Sequence, residues 1–397
     1  MKNFLRYLGP GIITAALIFG PGSLTIASKL GSQYAYRHVW VIGMAIFFML
    51  IFTEMGARIG MVTQTSLLSI IREKWGRWSA VALGIGIFAI TASFQAGNTV
   101  GASLAFAELS NTKITGWIVA FTLVGVSLLF FRSFYRVLEK LMIALVGVML
   151  VSFFITALLV QPNLLALTSG LVPSLPTGSE MLAIALVASS FSVVGAFYQG
   201  YLVREKGWQP SEIKQGTQES MVGILVLGTI STLILINAAA VLYPQGIPVN
   251  SATDMGLALT PLYGSTATVI FMLGLFGASF SSLVGNATIG GSLLSDAFSL
   301  GSHLASRQVR LMIMLVMVFG AVIALAFGRL PLELIVFAQA ITIVIAPLVG
   351  GALLLLANDS ARMGRQKNSK WQNVGGGLGL ILLLLLSMSQ VYSQFIR

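Results

Sequence analysis

Eleven apolar runs, each about the length that crosses a bilayer, follow one another with only short polar connectors. Their approximate limits are 8–31, 38–63, 78–108, 114–131, 136–160, 181–203, 217–242, 264–292, 308–327, 331–356 and 374–396. Such a chain has no room for a soluble domain. The runs are continuous, whereas membrane barrel strands alternate over about ten residues. Composition agrees: 56% of the 397 residues are hydrophobic and 9% are charged, against about 25% charged in a soluble domain. The expected fold is all-α integral membrane, with eleven transmembrane helices in a single domain over 1–397.

Basic residues set the expected orientation. With the N-terminus in the cytoplasm, the inside segments hold Lys2, Arg6, Arg58, Arg72, Lys74, Arg77, Arg132, Arg136, Lys140, Arg204, Lys206, Lys214, Arg307, Arg310, Arg362, Arg365, Lys367 and Lys370. The outside holds Lys29, Arg37, Lys113, Arg329 and Arg397. This bias places the N-terminus inside and, after eleven spans, the C-terminus outside, in a multi-pass protein of the cell (inner) membrane. It also accounts for the net charge of +11 without nucleic acid, since the basic residues are scattered between apolar runs rather than gathered on one face. The expected partners are the lipid bilayer and a small solute or ion, and the expected state is a monomer. Cysteine is absent, which excludes disulfides and thiolate metal sites. No GxxxxGK[ST] loop is present, so ATP does not drive this chain directly. No midplane group suited to acid–base chemistry is found, so the chain is read as no enzyme, with no cofactor.

Two spans carry helix-breaking sequences. Span 1 contains Phe19-Gly20-Pro21-Gly22-Ser23, and span 6 contains Gly195-Ala196-Phe197-Tyr198-Gln199-Gly200-Tyr201. Proline removes a backbone donor and glycine weakens a helix. Unwound backbone at membrane depth is tolerated only where it lines a cavity or is buried in protein. Spans 1 and 6 are corresponding positions of two five-helix halves, about 8–160 and 181–356, with a peripheral helix at about 374–396. Paired breaks of this kind point to a transporter's substrate site.

At these residues the sequence resembles the NRAMP family of divalent-metal transporters, whose fold is the LeuT type of inverted repeats. Gly9-Pro10-Gly11 followed by Pro21-Gly22 resembles the family's GPG…DPGN. Gly56-Ala57-Arg58-Ile59-Gly60-Met61-Val62-Thr63 is similar to SARLGxVT at the end of span 2, and Gly101-Ala102-Ser103-Leu104-Ala105 to GTAIA of span 3. Gly195-Ala196 stands at the GA that precedes MPH, and Gln339 and Pro347 resemble polar and proline positions of span 10. The resemblance implies a metal held between the Asp and Asn of DPGN and the Ala carbonyl and Met thioether of span 6. Here those positions are Gly20, Ser23, Ala196 and Gln199, and the Pro-His that follows is Gly200-Tyr201. The family's acidic proton positions on span 3 correspond to Gln95 and Asn98.

The missing charges shape the expected function. Of twelve acidic residues, only Glu54 falls well inside a span, where Arg58 four residues on is its expected partner. Glu219 and Asp296 fall near the inside ends of their spans. One carboxylate at ~4 Å contributes roughly 4 kcal/mol per unit of cation charge at an effective dielectric of ~20, and no soft thioether replaces it. Gly20, Ser23, Ala196, Tyr198, Gln199, Tyr201 and Gln339 are the substrate-binding candidates. Ser279, Ser281, Ser282 and Asn286 form a further polar path, or else pack helices together. Such a set suits a neutral or zwitterionic solute moved by alternating access, rather than proton-coupled manganese or iron. A divalent ion that keeps its waters, as magnesium tends to, is the alternative. A channel or a non-transporting sensor or scaffold is the second.

Overall fold

The structure is a computed structural model, and it describes residues 20–327 and 332–395. All regular elements among these residues are helical. The principal ones are α1 (Pro21–Tyr34), α2 (Val39–Thr63), α3 (Leu67–Trp75), α4 (Arg77–Ser110), α5 (Ile114–Leu128), α6 (Arg132–Val160), α7 (Glu180–Ser190), α8 (Val193–Glu205), α9 (Ile213–Val241), α10 (Ala267–Ala297), α11 (Arg307–Phe327), α12 (Leu332–Ala357) and α13 (Lys370–Phe395). Among the described residues, eight helical stretches are long and apolar enough to cross a membrane, and Ile114–Leu128 and Ala144–Val160 are shorter apolar helices. Each expected span from the second onward coincides with one of the helices α2, α4–α6 and α9–α13, or for 181–203 with the pair α7 and α8, within about five residues at its ends. The first half of span 1, with Gly9-Pro10-Gly11, lies outside the described residues, as do Arg329 and Arg397.

α1 starts where the proline predicts. Gly20 is extended at the N-cap (φ −115°, ψ 178°) and Pro21 occupies the first turn, where a missing N–H costs nothing. Span 6 is broken, but not where its glycines suggested. The interruption is Phe191-Ser192, between α7 and α8, and the whole segment Gly195–Tyr201 is helical. Ser192 Oγ accepts a hydrogen bond from the Gly195 N–H at 3.2 Å, so a serine cap opens the second half-helix. The glycines serve packing instead. Any side chain at Gly56 of α2 would overlap the Ala196 carbonyl, and one at Gly60 would overlap the backbone of Gly200. Small residues let the two helices approach to backbone contact.

The bundle is built around one large apolar core to which most helices contribute. α4 and α10 pack along much of their length, α2 lies on α8, and α1 lies on α9. α7 touches both α1 and α12, which brings the start of α1 and the α7–α8 break together. α13 packs on α12 and α2 and leaves Leu378, Leu385 and Met388 exposed, a face suited to lipid. Glu54 pairs with Arg58 at 3.3 Å, as the spacing predicts. Gln372 of α13 joins them, donating to Glu54 at 2.9 Å and accepting from Arg58 at 3.2 Å. The loop-end charges also pair: Lys74 with Asp359 at 2.8 Å and Arg362 with Glu73 at 2.7 Å. The hydrogen bond from Lys74 holds the Asp359 carboxyl below its ordinary range.

Candidate substrate site

The start of α1 and the α7–α8 break face a common cavity with about 640 Å³ of atom-free space, its open mouth included. α1 contributes Gly20, Gly22 and Ser23; the break contributes Ser189, Ser192 and Gly195. α4 and α10 form the opposite wall with Thr91, Phe94, Asn98, Ser282 and Asn286, and Thr342 of α12 closes the side. A smaller cavity of about 270 Å³ shares Gly22, Phe94 and Asn98 with the first and reaches Ala338 of α12. Asn98 therefore stands in the wall between the two. None of the described residues lining either cavity is charged. Among the described residues, no three His, Asp or Glu side chains come together as metal ligands would.

Backbone ends matter in a site without charges. The last carbonyls of a helix and its first N–H groups lack intrahelical partners. Ala188 and Ser189 at the end of α7 border the cavity, and there the helix dipole is negative. The first residues of α1 border it too, and there the dipole is positive. Ser192 takes up one N–H of α8.

The structure brings together only part of the expected set. Gly20, Ser23 and Asn98 line the cavity; Gln95 is fully buried behind it, donating to the Leu283 carbonyl at 2.8 Å. Ala196, Tyr198, Gln199 and Tyr201 lie further along α8 and do not line this cavity. Gln199 donates to Ser220 Oγ at 2.6 Å, and Tyr198 stacks on Tyr201 with ring centroids 6.0 Å apart. Tyr201 donates to Asp296 at 2.6 Å and accepts from the Leu68 N–H at 3.1 Å. Asp296 is thus no simple helix-end acid: it is buried, and Arg72 donates to its backbone carbonyl. Gln339 is 1% exposed, and neither its amide nitrogen nor its oxygen has a hydrogen-bond partner among the described residues. It follows directly on Ala338, which lines the smaller cavity.

Four polar residues lining the larger cavity are not singled out by the sequence: Thr91, Ser189, Ser192 and Thr342. Hydroxyls on helices commonly bond to their own backbone and say little about function. Three of these do so: Thr91 to the Ile87 carbonyl, Ser189 to Leu186 and Thr342 to Ala338. For Ser192 a signal existed, because a serine three residues ahead of Gly195 fits a helix cap.

Known proteins agree with this architecture. The chain is 25% identical over 403 residues to the divalent metal cation transporter MntH of Deinococcus radiodurans, covering 98% of this chain and 89% of that one. Its fold matches the manganese transporter of Eremococcus coleocola with a TM-score of 0.83 at 22% identity, over 99% of this chain and 87% of that one. A nucleobase-cation-symport-1 family transporter matches more loosely, with a TM-score of 0.61 at 15% identity over 98% and 93% of the two chains. The pattern of the family described as natural resistance-associated macrophage protein-like runs across residues 11–393, and the chain belongs to that Nramp family of membrane transporters.

Proposed function

We propose that this chain carries a divalent metal cation across the membrane by alternating access, and that it holds the ion together with much of its water shell. The observation that carries this reading is a cavity between the start of α1 and the α7–α8 break, where the described lining residues present neutral oxygens and no charged side chain. A strongly hydrated ion such as magnesium dehydrates reluctantly, and hydroxyl, amide and carbonyl oxygens suit its water shell. Relatives named as divalent metal cation transporters favour an ion over the small organic solute that the missing charges suggested. We further take spans 1–5 and 6–10 as inverted repeats, the N-terminus as cytoplasmic and the working unit as a monomer.

The positive end of α1 supports a second reading, in which a zwitterionic solute places its carboxylate against the Gly22 and Ser23 amides. Uptake into proteoliposomes separates the two. The metal reading expects saturable magnesium entry, reported by an entrapped indicator, with exchange against internal magnesium and no ion-dependent change of internal pH. Gln95 and Asn98 do not titrate, so the proton route implied by the family resemblance has no carrier there. Flux that rises linearly with magnesium would mark a channel. Saturable amino acid uptake with no divalent flux would support the second reading, and ion-dependent acidification abolished by an ionophore would restore proton coupling.

Gln339 supports a ligand role for α12. A buried amide without partners is destabilising and is tolerated where binding needs it. Gln339→Leu is expected to raise thermal stability by about 1 kcal/mol while lowering magnesium flux. Lower stability with unchanged flux would remove Gln339 from the site.

A further inference from the structure

Three amides link α4 to α10, Asn98 and Asn286 in the cavity wall and Gln95 behind it. Asn286 Nδ2 donates to the Thr91 carbonyl at 2.6 Å and to Gln95 Oε1 at 2.9 Å. Gln95 Nε2 donates to the Leu283 carbonyl at 2.8 Å. Asn98 Nδ2 donates to the Ser282 carbonyl at 3.3 Å. A backbone carbonyl can only accept, so flipping any of these amides would set oxygen against oxygen. Both hydrogens of the Asn286 amide are used, which leaves its Oδ1 as the group to face the cavity it lines. The Asn98 amide spends one hydrogen on the Ser282 carbonyl, and its Oδ1 faces the start of α1, where a Cβ on Gly20 would stand 2.9 Å from it.

We propose that Asn286 is a cation-facing residue of the substrate site, its carbonyl oxygen presented beside that of Asn98, and that Gln95 is the positioning residue that aims it. This deepens the divalent-cation reading above and rests on it. Water molecules bound to a dication have their hydrogens directed outward, so the surface that suits them is a row of acceptors. The amide chain builds such a row with neutral groups. The same row opposes the carboxylate of a zwitterion. Where a proton relay would need titrating groups, this wall carries amides with a defined dipole direction. It therefore acts on ion selection and not on proton movement.

The chain has no cysteine, so a single introduced thiol is the only one that a reagent can modify. Asn286→Cys and Ser23→Cys are each labelled with a water-soluble thiosulfonate in magnesium chloride and in potassium chloride of equal ionic strength. Magnesium is expected to slow labelling at both positions. Protection at Ser23→Cys without protection at Asn286→Cys overturns the proposal and leaves the divalent-cation reading standing. Protection at neither position overturns both. Gln95→Met supplies a measurement that does not depend on replacing Asn286. It is expected to raise the KM for magnesium about fivefold, the effect of one weakened hydrogen bond to an ion's shell, with maximal rate kept. An unchanged KM with a lower maximal rate is what a merely helix-tying amide would give, and it overturns the proposal.

Discussion

Gly20→Leu is expected to reduce magnesium flux to background while leaving a folded, membrane-inserted protein. Gly20 is extended, with a φ of −115° that any residue adopts, so the backbone tolerates the change. The effect is one of volume. The new Cβ would press on Asn98 Oδ1 at 2.9 Å and meet Ser282 at 3.5 Å, and the remaining carbons would extend into the cavity. Gly20→Ala adds only the Cβ, with these two contacts and no further carbons, and should retain partial flux. Uptake by both variants, normalised to protein recovered in the vesicles, checks the point. Wild-type flux in Gly20→Leu would mean that the path does not run past the start of α1.

Gly56→Ala is expected to destabilise the protein outright, and Gly56→Leu to prevent recovery of folded material. At Gly56 the backbone of α2 touches the Ala196 carbonyl of α8, and at Gly60 it touches Gly200. The obstacle is backbone, which has no rotamer to give. Overpacking ordinarily costs about 1–3 kcal/mol, and separating two whole helices costs more. Each variant's thermal unfolding in detergent gives the answer. A midpoint unchanged in Gly56→Leu would show that α2 and α8 are not packed as closely as described.

Much of the fold was legible because one physical demand dominates it. Every backbone polar group in the bilayer must be satisfied within the chain, so apolar runs of adequate length become helices, and ten were placed within a few residues of their observed ends. Pro21 was equally legible, since proline tolerates only the first turn. Glu54 and Arg58 followed from i,i+4 spacing. The second break was misplaced because glycine carries two messages. Gly200 looked like a helix breaker and is a packing residue against Gly60. The true break needs no glycine, since Phe191 (φ −96°, ψ 69°) and Ser192 (φ −75°, ψ 83°) have ordinary negative φ.

The site was less legible than the fold for a related reason. Its candidates were carried over from positions that hold charged and soft ligands in the resembling family, and those on α8 beyond Gly195 lie away from the cavity, with Gln199 and Tyr201 bonded elsewhere. What lines it instead is hydroxyl and amide from α4, α7, α10 and α12, residue types that a sequence cannot separate from ordinary helix packing. Asp296 shows the converse. Its place near a helix end concealed that Tyr201, 95 residues away in the chain, donates to it.

The most direct measurement of the central claim is a structure of the protein bound to manganese, used as a divalent probe whose anomalous signal marks the ion. The account predicts a peak in the cavity between Ser23, Asn98 and Asn286, at about 4 Å from their oxygens, the distance at which one water bridges each contact. A peak at about 2 Å from side-chain ligands would show a dehydrated ion, and a peak beside Asp296 or no peak in the cavity would contradict the account.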